Sequence, residues 1–286
     1  MVVRVVRTSA LIVLIALALT GCGWQASKES SQKFSLPVTG PDRKVLPTSR
    51  PSVSAALDAA GGLLAWKECT KIEAGAVVTA CAPDGCFYLT EQDFVLCPWS
   101  DAIQVTAHEP QADLVWQVVG EQDRAPRADP NLQGSPLASL RGDYADALLQ
   151  IATAPVRLLE DDLVLTPRPA TVQIAGQWYL PLEVSHRTLG GRLRAGDAET
   201  DGTGEARSRP QGPRWTQRIY FQDTDSSLVD MIWLGNSVTQ KFLLVRGYDY
   251  ARTASGGVRI PTKIEVFQSD PEANIGSRLA LVELKQ

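Results

Sequence analysis

Histidine is almost absent from this chain: two in 286 residues, His108 and His186. Neither belongs to an H-E-x-x-H or similar ligand spacing, so a histidine-built metal centre is not expected and each reads as a strand-surface residue. No G-x-S-x-G elbow, P-loop or Rossmann glycine set occurs. The acidic triplet Glu160-Asp161-Asp162 lacks the glycine and closing glutamate of a calcium loop and reads as a solvated turn. Carboxylates are scattered, with no pair marked as acid and base. The residues therefore point away from an enzyme, with no catalytic residue, metal or cofactor expected. An excess of cations is missing too: 28 Lys and Arg stand against 32 acids. Nucleic-acid binding needs clustered positive charge and is not expected. A membrane-length apolar run is also lacking. The longest, SALIVLIALAL at 9–19, is short of the roughly 20 residues that span a bilayer.

That short run has a specific meaning. Arg4 and Arg7 precede it without acids, and it ends at Leu19-Thr20-Gly21-Cys22. This is a secretory leader, and its end resembles the bacterial lipobox. The resemblance implies cleavage before Cys22 and attachment of lipid to its thiol. One acyl chain anchors only marginally and two or three anchor durably. Gly23 stands where an aspartate would retain the chain at the inner membrane, which favours the outer membrane, facing the periplasm. Without the two leader arginines, 26 basic residues face 32 acids, a net charge of −6. Residues 1–21 are thus the signal, 22–48 the lipidated cysteine and a polar flexible linker, and 49–286 one domain.

Four cysteines remain: Cys69, Cys81, Cys86 and Cys97. An even number in an exported chain suggests two disulfides. Cys81-Ala-Pro-Asp-Gly-Cys86 reads as a hairpin with a four-residue loop, which sets Cys81 against Cys86. Extending that register brings residue 69 opposite 98. A one-residue bulge near Gly75 would then pair Cys69 with Cys97.

Period-3.6 patterning predicts a helix from Ser52 to Trp66, weakened at Gly61-Gly62, and another over 143–152 before Pro155. Period-2 patterning predicts strands. Ile103, Val105 and Ala107 alternate, as do Leu114, Trp116 and Val118. Trp178, Leu180, Leu182 and Val184 alternate cleanly; Trp215, Ile219 and Phe221 do so with Gln217 as an exception; 258–266 follows the same rule. The stretch LVDMIWL (228–234) is apolar on both faces, so something must cover it. Residues 189–214 carry five arginines, four acids and no aromatic, the composition of a disordered insertion. No β-α-β alternation appears, so a parallel sheet is not expected. The class is mainly β (α+β): a curved antiparallel sheet, or incomplete β-barrel, with helices on its concave face.

Several of these segments resemble one family. A helix leads into a strand, a turn at Pro83-Asp84-Gly85, then FYLTEQDFVLCPWSDAIQVTAHEPQADLVWQVVG, with Pro98 ending the second strand, Ile103 to Val105 as an I-x-V edge, Pro110 in a turn and Trp116 near a strand end. GQWYLPLEV and GGVRIPTKIEVF are similar to late strands of the same group. The pattern resembles the LolA/LolB-like lipoprotein-carrier fold, and most closely envelope lipoproteins of that fold. The resemblance implies an incomplete barrel around an apolar cavity that is covered by helices and takes acyl chains. The lipid anchor brings the chain nearer the receptor LolB than the soluble carrier. The expected ligand is a lipid or acyl chain, in a cavity on the order of a few hundred Å³. Its candidate wall is Trp178, Leu180, Leu182 and Val184, with Trp116, Ile219, Phe221 and Trp233. The alternative is an envelope interaction or sensor module with a filled core.

Overall fold

A computed structural model describes residues 51–81, 85, 87–108, 114–119, 122–124, 136–161, 163–186, 215–254 and 257–285. All of them fall in one compact unit, Lys33–Gln286. Cys22 and the lipobox-like residues before it, Cys86, and the segment at 189–214 lie outside the described residues.

The first helical pattern becomes two helices, α1 (Val53–Ala59) and α2 (Leu63–Glu68). Ser52 caps α1, its hydroxyl accepting from the Ala55 amide at 3.3 Å. The break falls at Gly61 and Gly62, both in the left-handed region at φ +115° and +88°. A Cβ on Gly61 would meet Gly257 O and Val258 Cα at 3.0 Å, so close backbone approach as well as turning requires glycine there. The mid-chain helix is α3 (Pro136–Ala152), longer than the periodicity suggested. A short α4 (Ala154–Arg157) follows, with Pro155 in its first turn.

Among the described residues thirteen strands form one antiparallel sheet: β1 (Ile72–Cys81), β2 (Phe87–Cys97), β3 (Ala102–His108), β4 (Leu114–Val119), β5 (Gln122–Arg124), β6 (Leu163–Pro167), β7 (Val172–Ile174), β8 (Gln177–His186), β9 (Gln217–Asp223), β10 (Val229–Asn236), β11 (Lys241–Arg252), β12 (Arg259–Gln268) and β13 (Arg278–Leu284). The spatial order is β5-β4-β3-β2-β1-β13-β12-β11-β10-β9-β8-β6, and β7 also pairs with β8. The C-terminal strand thus joins the two halves of the meander by pairing with both β1 and β12. β5 and β6 end the order without meeting, so the sheet is an unclosed, mainly-β incomplete barrel.

The β1–β2 ladder corrects the hairpin register. Cys81 faces Phe87, not Cys86, and pairing runs unbroken to Ile72 and Leu96. Gly75 faces Asp93 directly, with no bulge. Pairing is one residue out from the expected register, so the extrapolated partner of residue 69 moves from 98 to 99, further from Cys97. Cys69, Cys81 and Cys97 are free thiols in the structure, so no bond joins Cys69 to Cys97. Cys69 caps the C-terminus of α2, outside the strand, and burial raises its thiol pKa.

The sheet is buried on two faces over part of its width. An inner core lies under the helices and includes Phe94, Val105, Trp116, Leu148, Leu182, Tyr220, Ile232 and Val266. A separate outer cluster holds Tyr179, Ile219, Phe221, Met231, Trp233, Phe242 and Leu244. Ala273 and Ile275, in the connection before β13, pack on that outer cluster, and the Trp233 indole donates to Asp270 O at 3.1 Å. This cover explains why LVDMIWL is apolar on both faces.

Candidate functional site

Helix α3 occupies the inner face. It has 17 residues, about 25 Å at 1.5 Å per residue, and touches β1 through β4 and β10 through β13. Every residue from 142 through 158 is buried, so α3 and α4 form an interior wedge and not a surface stripe. Tyr144, Leu148, Leu149 and Ile151 are almost fully enclosed. At about 1.5–3 kcal/mol for each such side chain, they contribute on the order of 6–12 kcal/mol of burial. The Tyr144 and Trp116 rings meet edge to face, with centroids 6.3 Å apart.

The wedge also carries polar groups inward. The Tyr144 hydroxyl donates to Gln92 Oε1 on β2 at 2.8 Å. Asp146, wholly enclosed, accepts from the Trp215 indole and from Gln150 Nε2 at 3.4 Å. Lys241 Nζ donates to Asp143 at 2.6 Å. Arg157, 2% exposed, donates to Thr153 Oγ1 at 3.0 Å, to Glu160 at 3.3 Å and to Asp101. Asp101 takes a left-handed turn at φ 49° directly after the Pro98–Ser100 3-10 turn, and so ties the β2–β3 connection to α4. Two buried atoms in this polar interior, Gln92 Nε2 and Gln150 Oε1, have no hydrogen-bond partner.

The proposed wall residues do not share one face. Trp116, Leu182 and Val184 belong to the inner core. Leu180 is buried at the same strand parity, and Trp178 is half-buried. Ile219, Phe221 and Trp233 belong to the outer cluster and cannot line the same cavity. On β9 the inward residues are Arg218, Tyr220 and Gln222, all buried. Alternation located the two faces of β9 but could not say which was inner, because both are covered. Tyr220 and Gln222 were missed for that reason; the one available signal was the polar alternation of Arg218 and Gln222 around an aromatic.

A cleft opens on the inner face between α1, the end of α4, and strands β8 to β10. Pro51, Ser52, Ala56, Leu158, Leu182, Tyr220, Gln222 and Val229 line it. Its free volume is about 10 Å³, room for one water at most. Gln222 fastens the start of the domain to the sheet: its Oε1 accepts from Ser52 N at 2.8 Å, and its Nε2 donates to Ser52 O at 3.1 Å. Among the described residues no group of three or more His, Cys, Asp or Glu is placed to hold a metal ion, and no helix is long and apolar enough to cross a membrane. His108 sits on the sheet surface against Asp93 at 2.8 Å.

Solved structures match the chain at low identity and with TM-scores below 0.5. A LolA superfamily protein from Nitrosomonas europaea matches with a TM-score of 0.48 and 11% identity, over 84% of this chain and 93% of that one. A DUF1329 family protein from Desulfovibrio piger matches at 0.40 and 12%, over 83% and 92%. A domain described as outer membrane lipoprotein-sorting, from Vibrio parahaemolyticus, matches at 0.42 and 9%, over 82% and 92%. No protein-family model and no curated protein matches the sequence.

Proposed function

We propose that this chain is a lipid-anchored protein of the bacterial envelope, held through Cys22 at the outer membrane, whose domain takes a lipid or acyl chain against the inner face of its sheet. Its role would be binding, in lipid or lipoprotein handling, without catalysis. The observation that carries the reading is the character of the plug. The inner face is largely apolar, with Gln92, Arg218 and Gln222 as polar exceptions, and α3, which fills it, is laced with buried polar residues: Asp143, Asp146 and Gln150, followed by Thr153. Buried polar pairs add little net stability compared with apolar packing of the same volume. A helix seated this way gives up less on exchange for a hydrocarbon chain than an all-apolar helix would. The acyl chain would replace contacts of α3 with Leu182, Val184 and Trp116.

A second reading rests on the cleft. At about 10 Å³ it admits no alkyl chain, which favours a filled-core interaction or sensor module. Binding of a fluorescent fatty acyl probe separates the two. Saturable binding that is lost in Leu182→Glu, with the fold retained by circular dichroism, supports the acyl-binding reading. No binding to a folded, delipidated protein supports the filled core.

A further inference from the structure

Large apolar side chains exposed singly are ordinary on a protein surface; a cluster of them drawn from separate elements is not. One such cluster stands where the domain begins. Leu63 and Leu64 lie on α2, Trp99 in the Pro98–Ser100 3-10 turn and Leu159 just past α4, and all four are exposed, Leu64 at 77% and Trp99 at 50%. These elements touch one another. The Trp99 indole donates to Trp66 O on α2 at 3.0 Å. The 3-10 turn meets α4, and α4 meets α1. α2 has six residues, about 9 Å at 1.5 Å per residue, so Leu63 and Leu64 lie within about one turn of the carbonyl that Trp99 holds. With its N–H bonded there, the exposed half of Trp99 is ring carbon. Tryptophan with an apolar ring outward and its polar tip satisfied suits a membrane–water interface.

The start of the domain indicates what this cluster meets. Residues 23–51 separate Cys22 from Ser52, and Ser52 is fixed to the sheet by Gln222. Pro51 lines the same cleft as Leu158, the neighbour of Leu159. A tether from Cys22 therefore joins the domain beside the cluster and draws that end toward the bilayer. A second exposed pair, Phe87 and Leu89, begins β2. β2 runs 11 residues before the turn of Trp99, about 35 Å at 3.2–3.4 Å per residue. The next residues on the face of Phe87 and Leu89 are the exposed acids Glu91 and Asp93, which a bilayer laid there would have to desolvate.

We infer that Leu63, Leu64, Trp99 and Leu159 form a docking surface that inserts into the lipid bilayer carrying the anchor, and so sets this end of the domain on the membrane. The inference rests on the anchor reading and adds the face that meets the lipid. Four side chains bind a bilayer weakly by themselves, but a tether supplies an effective concentration on the order of millimolar. The exposed charges on and beside these elements are Asp58, Glu68 and Asp161 against Lys67. No cationic patch draws the cluster to anionic headgroups, so docking rests on apolar insertion and tolerates salt.

The test reconstitutes the mature protein, lipidated at Cys22, into phosphatidylcholine vesicles whose acyl chains are brominated near the headgroup and quench the tryptophans they touch. The Trp99 signal is the difference between wild type and Trp99→Phe, in which Trp24, close to the anchor, cancels. Most of that signal is expected to be quenched, at low and at high salt. Leu64→Glu, a change at an exposed side chain, is expected to remove most of the quenching with the fold retained by circular dichroism. Leu89→Glu is expected to leave it unchanged. Unquenched Trp99 in protein that floats with the vesicles overturns the inference while the anchor stands. Loss of quenching in Leu89→Glu but not in Leu64→Glu, or quenching that needs anionic lipid, also overturns it. Protein that does not float with the vesicles removes the anchor, and the inference falls with it.

Discussion

Asp230 stands in the middle of the apolar stretch LVDMIWL, and the sheet deals with it by a bulge. The β9–β10 register shifts between Val229 and Met231, with Asp230 the residue left over. A bulge of this kind places two successive side chains on one face. Its Oδ1 is enclosed and has no partner. Burial first, and the neighbouring Asp223 carboxylate second, push the Asp230 pKa from 3.8 up to about 7; Arg246 and the Tyr179 hydroxyl offset part of the rise. In the unfolded chain the group titrates near its ordinary value. Between about pH 4 and pH 7 the native state therefore holds a proton that the unfolded state has released. The unfolding free energy falls as pH rises through that window and levels off above it. A shift of about three units at 1.36 kcal/mol each sets an upper bound of about 4 kcal/mol. Asp230 retains some contact with water, so about 2 kcal/mol is the working expectation. Asp230→Asn mimics the protonated form and does not titrate. Urea unfolding followed by tryptophan fluorescence at pH 4.5, 6 and 8 should show wild type and variant close together at pH 4.5. The variant should then gain about 2 kcal/mol on the wild type by pH 8. Parallel pH curves would refute the assignment of the buried charge to Asp230.

Two further outcomes follow from the chain's construction. A Cβ on Gly235 would lie 2.5 Å from the Trp233 ring, which is stacked on Phe242 at 5.8 Å and has little room to retreat; Gly235→Ala should cost about 2 kcal/mol and lower the thermal midpoint by about 4–8 °C, and an unchanged midpoint would show the outer cluster to be loosely packed. Cys22→Ser should abolish incorporation of a clickable palmitate analogue, and equal labelling of mutant and wild type would remove the anchor from the account.

Much of the sheet was legible because one-sided burial writes itself as alternation. Ile103, Val105 and Ala107 alternate in the sequence, and all three are buried on β3. The break at Gly61-Gly62 was likewise visible, since both glycines adopt positive φ. Three features were not. The N-terminal half of α3 lacks apolar periodicity, and its signal was Pro136 in the first turn after Ser135. The β1–β2 register depended on one loop residue, which composition cannot count. The face of Ile219, Phe221 and Trp233 depended on what lay outside the sheet, in the connection around Ala273, far along the chain. The same ambiguity hid Tyr220 and Gln222, the residues that frame the cleft.

Whether the inner face takes an acyl chain is decided most directly by titrating a fluorescent fatty acid into delipidated residues 23–286 and into the Leu182→Glu variant. Leu182 lies in both the inner core and the cleft wall. The account predicts saturable binding of about one probe per wild-type protein, weakened at least about tenfold by a buried charge at that wall, with both proteins folded by circular dichroism. A folded wild-type protein that leaves the probe in solution would contradict it.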